Sequence, residues 1–169
     1  MLRVLAAALV AVLAAGACHG NEPASATALE GAWRVERIVY FTSRGEFPID
    51  SPQPGLFIFG ESYYSMVWMP LEQAALDSKE IWRPTDAEKI RSWNMLVVNS
   101  GTYAATDSTV TTYPLVAKTP EFVGGSATYT YRVSGDTLHM EMIDTLAHDG
   151  TRDPGVGVVR IPMRLLRVE

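Results

Sequence analysis

The feature that most constrains the fold of this chain is a series of short segments in which apolar and polar residues alternate. In the first of them, Trp33, Val35 and Val39 fall on one side of an extended chain. Arg34 and Glu36 fall on the other side. A period of two with aromatic and β-branched residues is typical of a strand that is buried on one face. The pattern predicts eight strands, at residues 29–42, 56–59, 62–69, 101–106, 110–117, 127–133, 137–144 and 156–168.

The connections between these segments predict how the strands are arranged. Most are short turns, of which Ser134-Gly135-Asp136 is the clearest hairpin signal, and short turns join antiparallel neighbours. Residues 43–54 contain three prolines and are predicted as a loop. Eight antiparallel strands close into a barrel that holds side chains or one small ligand. We therefore predict one all-β domain over residues 29–169, an eight-stranded antiparallel barrel; an open sandwich of the same strands is the alternative.

One part of the chain changes period and predicts a helical insertion between strands 3 and 4. Thr85 is followed three residues later by Glu88, which is the spacing of a capping box at the start of a helix. A shorter helix is predicted over residues 71–78. Apolar residues recur at helical spacing after Thr85, and we expect them to pack inward: Ala87, Ile90, Trp93 and Val97.

The first seventeen residues predict export. Arg3 precedes a run of valine, leucine and alanine over residues 4–15, and the small residues Gly16 and Ala17 follow. A charged start, a short apolar stretch and small residues at the cleavage point are typical of a secretory signal peptide. The run is shorter than the roughly 20 apolar residues that a membrane-spanning helix needs. Residues 1–17 are therefore predicted to be a signal peptide.

Cys18 is predicted to carry a lipid. Residues 15–18, Ala-Gly-Ala-Cys, resemble a bacterial lipobox, in which the cysteine is acylated and becomes the new N-terminus. As the single cysteine of the chain, Cys18 has no partner for an internal disulfide. Residues 18–28 are small and polar, as expected of a flexible tether. We expect the protein in the periplasm or at the outer membrane. An aspartate after the lipidated cysteine often retains lipoproteins at the inner membrane, and no aspartate follows Cys18. If the cysteine is not acylated, we expect the protein to be secreted.

Composition and motifs exclude several function classes. The net charge of −5, without a basic cluster, argues against a nucleic acid partner. No nucleophile elbow, phosphate loop or dinucleotide fingerprint occurs, so no cofactor is predicted. His139 and Glu141 lie two residues apart, but no third ligand lies near them, so no metal site is predicted either.

The interior of the barrel is the expected ligand site. Aromatic and methionine side chains can form an adaptable apolar pocket in which hydroxyl groups orient one ligand. The alternative is that the same residues fill the core, and Trp33 is expected to close one end. The candidate ligand-binding residues are Tyr64, Met66, Trp68, Tyr103, Tyr113, Tyr129 and Tyr131.

The strand register decides the role of His139. If Leu138 and Met140 point inward, then His139 and Glu141 face solvent. The opposite register would place His139 and Glu141 in the pocket as an acid–base pair. A slip of one residue exchanges every inward and outward position. We expect the solvent-facing arrangement.

Three stretches carry a resemblance to a known family. These are residues 29–35 with Gly31-Ala32-Trp33, the central Gly101-Thr102-Tyr103 and the hairpin over residues 129–138. With these motifs the chain resembles the bacterial lipocalin-like domain family, small β-barrels related in shape to the lipocalins. The resemblance implies a barrel with a cavity and says little about activity, because fold does not fix function.

Two departures from the family pattern concern polar residues. The family often has histidines in the strand after its Gly-Thr-Tyr, where this chain has Thr112 and Tyr113. It also often has an arginine near the position of Thr128, and none occurs there. The resemblance therefore assigns no role to these positions of this chain.

These observations lead to one main functional hypothesis and two alternatives. The main hypothesis is an exported, lipid-anchored barrel that binds a small hydrophobic molecule. The first alternative is an isomerase or cyclase that shapes a substrate in the pocket, which requires an ionisable group inside. The second is a structural or interaction protein of the envelope, which predicts a filled core and an exposed apolar patch.

Overall fold

The computed structural model describes residues 28–50, 54–70, 75–80 and 82–168. The predicted signal peptide, Cys18 and nearly all of the predicted tether lie outside these residues. No helix in the described part is long and apolar enough to cross a membrane. The elements are β1 (Gly31–Thr42), β2 (Gly45–Ile49), β3 (Leu56–Phe59), β4 (Tyr63–Trp68), α1 (Asp86–Met95), β5 (Val97–Ala105), β6 (Thr109–Ala117), β7 (Ser126–Ser134), β8 (Thr137–Leu146) and β9 (Met163–Arg167), with a 3₁₀ turn at Pro120–Phe122.

Eight of the strands form a closed antiparallel barrel. Strands β3 to β8 each pair with the next strand along the chain, and β1 pairs with both β3 and β9. The closing register places Trp33 opposite Arg167 and Val35 opposite Leu165. The prediction of an all-β, eight-stranded antiparallel barrel is thus confirmed, and the open sandwich is not.

The predicted place of the helix in the strand order is wrong by one strand. Helix α1 follows the fourth strand, because residues 43–54 contain β2, which the sequence analysis assigned to a loop. β2 pairs with the second half of β1, from Ile38 opposite Ile49 to Thr42 opposite Gly45. β2 is largely exposed and contains Pro48, a residue that strands tolerate at an edge. Its sequence therefore lacks the alternation of a half-buried strand.

The capping box of α1 is confirmed. The Thr85 hydroxyl accepts a hydrogen bond from the Glu88 N–H, and the Glu88 carboxylate accepts one from the Thr85 N–H. The Glu88 carboxylate also accepts the Ser78 N–H at 3.0 Å. Residues 75–78 form a turn and not the predicted short helix; residues 71–74 lie outside the described part. The N-terminus of α1 is thus fixed by side chains of its own first turn and by the preceding turn.

The predicted inward packing of α1 is wrong. Ile90 is 63% exposed and Trp93 57% exposed, while Glu88 is the buried residue of the helix. The reason is topological: β4 and β5 pair directly with each other, so the segment that connects them lies outside the closed sheet. Helical spacing identified the helix correctly but not the surface it faces.

A β-bulge in β1 changes which side chains enter the core. The register shifts between Val35 and Arg37, so the inward positions are Trp33 and Val35 before the bulge and Ile38 after it. The predicted inward position of Val39 is therefore wrong, since an extra residue exchanges the two faces of the strand.

Trp33 closes one end of the barrel, as predicted. Its ring is fully buried, and its indole N–H donates to the Leu29 carbonyl at 2.8 Å. The Arg167 guanidinium lies 4.0 Å from the centre of the Trp33 ring. Arg167 also donates to the carbonyls of Glu30 and Ala28, at 2.7 and 2.9 Å. A cation above an aromatic ring, combined with hydrogen bonds to the preceding chain, joins the first and last strands at this end.

Gly101 is expected to be essential for the register of β5 and β6. A Cβ atom there would lie 2.0 Å from the Tyr113 carbonyl oxygen, at the bulge that follows Ser100. We predict that Gly101→Ala lowers the free energy of unfolding by at least about 1–3 kcal/mol, the usual cost of overpacking. Chemical denaturation measures this change. Gly60→Ala is the control, because a Cβ at Gly60 meets its nearest neighbour, the Tyr63 carbonyl oxygen, at 3.7 Å. Equal losses for both variants would contradict the prediction.

Candidate functional site

A cavity of about 290 Å³ opens at the end of the barrel opposite Trp33. Its rim is formed where β4, β6 and β8 end and where β5, β7 and β9 begin. The side chains that line its interior are mostly apolar: Phe57, Met66, Ala127, Tyr129, Met142 and Met163. Because one end of the barrel is closed by Trp33 and the other is not, the cavity has one mouth.

Three of the seven predicted ligand-binding residues line this cavity. They are Met66, Trp68 and Tyr129. Met66 and Tyr129 occupy inward positions on β4 and β7, and Trp68 lies at the end of β4 beside the mouth. Their contact with a ligand stays a prediction, but the structure brings these three side chains to one space.

Three more of the predicted residues lie deeper in the barrel, towards the closed end. Tyr64 is buried and stacks with Phe59, with the ring centres 6.5 Å apart. The Tyr103 hydroxyl donates to the Gly60 carbonyl at 2.7 Å. The Tyr131 hydroxyl donates to the Thr106 carbonyl, also at 2.7 Å. The bonds of the Tyr103 and Tyr131 hydroxyls and the packing of the Tyr64 ring stabilise this half of the barrel, whereas the buried Tyr64 hydroxyl has no partner among the described residues. None of the three residues lines the cavity.

The predicted inward position of Tyr113 is wrong. Its side chain is 45% exposed on the outer face of β6. The inward positions of this strand are held by Val110, Thr112 and Pro114. The Thr112 hydroxyl donates to the Ala127 carbonyl at 3.2 Å, which satisfies a buried polar group. A threonine with this bond fits the core, so the alternation places the larger and more apolar Tyr113 outside.

The solvent-facing position of Glu141 and His139 is confirmed. Leu138 and Met140 are buried, and the Glu141 carboxylate accepts two hydrogen bonds from Arg160, at 2.6 and 2.8 Å. Partial burial, together with Arg132 and Arg164, lowers the pKa of His139. His139 and Glu141 therefore do not form an acid–base pair within the barrel. Within the described residues, no group of three or more potential metal ligands occurs.

Asn99 is the main cavity residue that the sequence analysis missed. It lies outside the strand predicted at residues 101–106, but β5 begins at Val97 and places Asn99 on the cavity wall. A signal was present, because Asn99, Gly101 and Tyr103 are spaced by two and share the inner face. The helical pattern through Val97 masked it.

The cavity presents neutral polar groups inside and charged groups at its rim. Burial raises the pKa of Tyr129, and the nearby Tyr64 adds to this effect. The Tyr129 phenol therefore stays protonated at neutral pH. The Lys118 ammonium at the rim donates to the Trp93 carbonyl at 2.9 Å, and the Asp153 carboxylate accepts from the Gly155 N–H at 2.7 Å. The arrangement suits an uncharged molecule.

The buried phenols make stability fall at high pH. Burial raises the pKa of Tyr64 from 10.0 to about 12. Between these values the unfolded chain loses this proton and the folded chain keeps it, so the free energy of unfolding decreases as the pH rises through the window. We predict a shallower decrease between about pH 10 and pH 12 for Tyr64→Phe, measured by urea denaturation. Tyr113→Phe on the outer face is the control and should follow the wild type; identical slopes for Tyr64→Phe and the wild type would contradict the prediction.

The comparison with protein families agrees with this geometry. A family model described as a lipocalin-like domain matches residues 30–156. No curated protein matches the chain in sequence. The matched range includes β1 to β8 and most of the cavity lining, and the match covers most of the chain. The chain therefore belongs to the lipocalin-like domain family.

Proposed function

We propose that this protein binds one small, mainly apolar and uncharged molecule in the barrel cavity. The observation that carries the proposal is a cavity of about 290 Å³ with a single mouth and a mostly apolar lining. Small-molecule sites are typically concave, apolar spaces of about 300–1,000 Å³ with a few polar groups. The volume lies at the lower end of that range, so we expect a compact ligand or a single flexible chain.

The lining residues favour adaptable binding. Met66, Met142 and Met163 have flexible thioether side chains, which fit ligands of irregular shape. Phe57 and Tyr129 add rigid aromatic surface. A site of this composition discriminates by size and polarity more than by a fixed ligand outline.

The two alternative hypotheses receive unequal support. The enzyme hypothesis named His139 and Glu141, which lie on the outer face, so the catalytic pair it required is not inside the barrel. The interaction hypothesis is favoured by exposed apolar side chains, among them Leu115, Val116 and Trp82, which is 92% exposed. Its filled core does not fit the cavity, so an interaction role is the second candidate.

Filling the cavity should abolish binding. We predict that the wild-type protein increases the fluorescence of N-phenyl-1-naphthylamine, an uncharged apolar probe, and that the increase saturates as the probe concentration rises. Met142→Trp places a larger ring in the cavity and should weaken probe binding at least about tenfold, which corresponds to about 1.4 kcal/mol. Fluorescence titration measures both values.

A matched control is available on the same strand. Ile143 follows Met142 directly and is exposed on the outer face, so Ile143→Trp should bind the probe like the wild type. Ala127→Leu reduces the same cavity from another strand and serves if Met142→Trp does not fold. A probe that binds equally to all these variants, or does not bind to the wild type, would rule out the cavity as the site.

We further propose that the protein is exported and held at the outer membrane by a lipid on Cys18. The support is the sequence of residues 1–28, with a signal-peptide pattern, a cysteine at its end and a polar tether. A flexible tether of this length would allow the barrel to stand off the membrane surface with its mouth open to solvent.

Removal of the cysteine tests the anchor. In a Gram-negative host, Cys18→Ser should move the protein from the membrane fraction to the soluble fraction, and it should remove the acyl mass from the mature N-terminus. Ser25→Ala in the same segment should leave fractionation and mass as in the wild type. A Cys18→Ser protein that stays with the membranes would refute the lipid anchor without affecting the proposed cavity function.

A further inference from the structure

Asn99 places an amide in the wall of the cavity. Its side chain is 5% exposed, and it lies on β5 opposite Met66 of β4 and Ala117 of β6. All three residues line the cavity. The amide therefore belongs to the cavity wall and is surrounded mainly by apolar groups.

The Asn99 amide oxygen has no protein partner among the described residues. Oδ1 is fully buried and accepts no hydrogen bond there. An unsatisfied polar group of this kind costs free energy, and proteins satisfy the great majority of them. Because Oδ1 has almost no surface open to the cavity, a ligand reaches it only when a neighbouring side chain moves. A donor that reaches it would remove the cost of the unsatisfied group.

Three other polar side chains of the cavity lining make contacts of their own. The Thr145 hydroxyl contacts the Met142 sulfur at 3.0 Å. Lys118 and Asp153 make their bonds at the rim, as described above. A charged ligand group buried beside Asn99, among mainly apolar side chains, would lose its hydration, which is strongly unfavourable. The group that pairs with Oδ1 should therefore be a neutral donor.

We infer that the molecule bound in this cavity, if the cavity serves the binding function proposed above, is an apolar alcohol whose hydroxyl donates to Asn99 Oδ1. A hydroxyl is the smallest neutral donor, and its hydrocarbon portion fits the methionine and aromatic lining. The Tyr129 phenol, which is neutral at pH 7, lies on the same lining and offers a second neutral partner. Asn99 then acts as the specificity-determining residue of the site.

Two competitors that differ only in the donor test this inference. 1-Decanol and 1-methoxynonane have the same number of non-hydrogen atoms, but the ether cannot donate. Each displaces N-phenyl-1-naphthylamine from the wild-type protein. We expect the alcohol to compete about three- to tenfold more strongly than the ether, the effect of one net hydrogen bond. Equal competition by the two molecules would overturn the inference.

Asn99→Leu replaces the amide with an apolar group that has the same number of non-hydrogen atoms, and it should reduce the ratio of the two competitors to about one. Both competitors displace the same probe from the same variant. A change in the affinity of the variant for the probe therefore cancels from the ratio of the two competitors. Ser100→Ala is the control, because Ser100 follows Asn99 and bonds to Ser65 on the outer face. A preference for the alcohol that survives in Asn99→Leu would also overturn the inference. The wild-type comparison stands alone if that variant does not fold.

The proposed function can fail separately. If neither the probe nor either competitor binds to the wild type, then the cavity binding itself is refuted. If all three bind but the alcohol has no advantage, only the assignment of Asn99 and of the alcohol is refuted.

Discussion

The pairing of β1 with β9 is the interaction on which the rest of the structure depends. It joins the first and last strands into a closed sheet, so that neither strand is left with an unpaired edge. The Arg167 guanidinium, 4.0 Å from the Trp33 ring and bonded to the Ala28 and Glu30 carbonyls, reinforces this closure at one end. Each strand has one face towards the barrel interior and one face towards solvent only because the sheet closes. The strand β9 lies beyond the residues that match the family model, yet it completes the barrel that the family fold requires.

The two halves of the barrel interior are packed differently, and this difference creates the candidate site. Towards Trp33, large rings fill the space, with Phe59 and Tyr103 in edge-on contact at 5.4 Å. Towards the mouth, Ala127 and the methionines leave about 290 Å³ open. Proteins close-pack their cores, so an open apolar space with an unsatisfied amide in its wall lowers stability unless a ligand occupies it. The packed half therefore supports a half whose packing a bound molecule would complete under the proposed function.

The sequence predicted a large part of this structure for identifiable physical reasons. Hairpins such as β7–β8 follow from local alternation and turn residues, and the capping box of α1 is a local interaction between Thr85 and Glu88. The failures all depend on distant contacts. β2 is held by β1 rather than by its own apolar pattern, and Ile90 and Trp93 are exposed because β4 and β5 pair beneath them. At the site, Met66, Trp68 and Tyr129 were found from strand phase, whereas Asn99 was hidden in an apparent helical repeat.

By itself, the sequence determined the eight strands of the barrel, the hairpins, the start of the helix and the plug formed by Trp33, because each follows from interactions between residues close in the chain or from a repeated period. It also carries the signals for export and for a lipid on Cys18, which remain proposals. Only the tertiary structure decided which side chains reach the cavity. The bulge after Val35 and the inward position of Thr112 decide which residues of their strands face the interior. These positions depend on pairing with strands that are distant in the sequence. A one-residue shift exchanges the two faces of a strand, so the position of Asn99 in the wall is a property of the closed barrel.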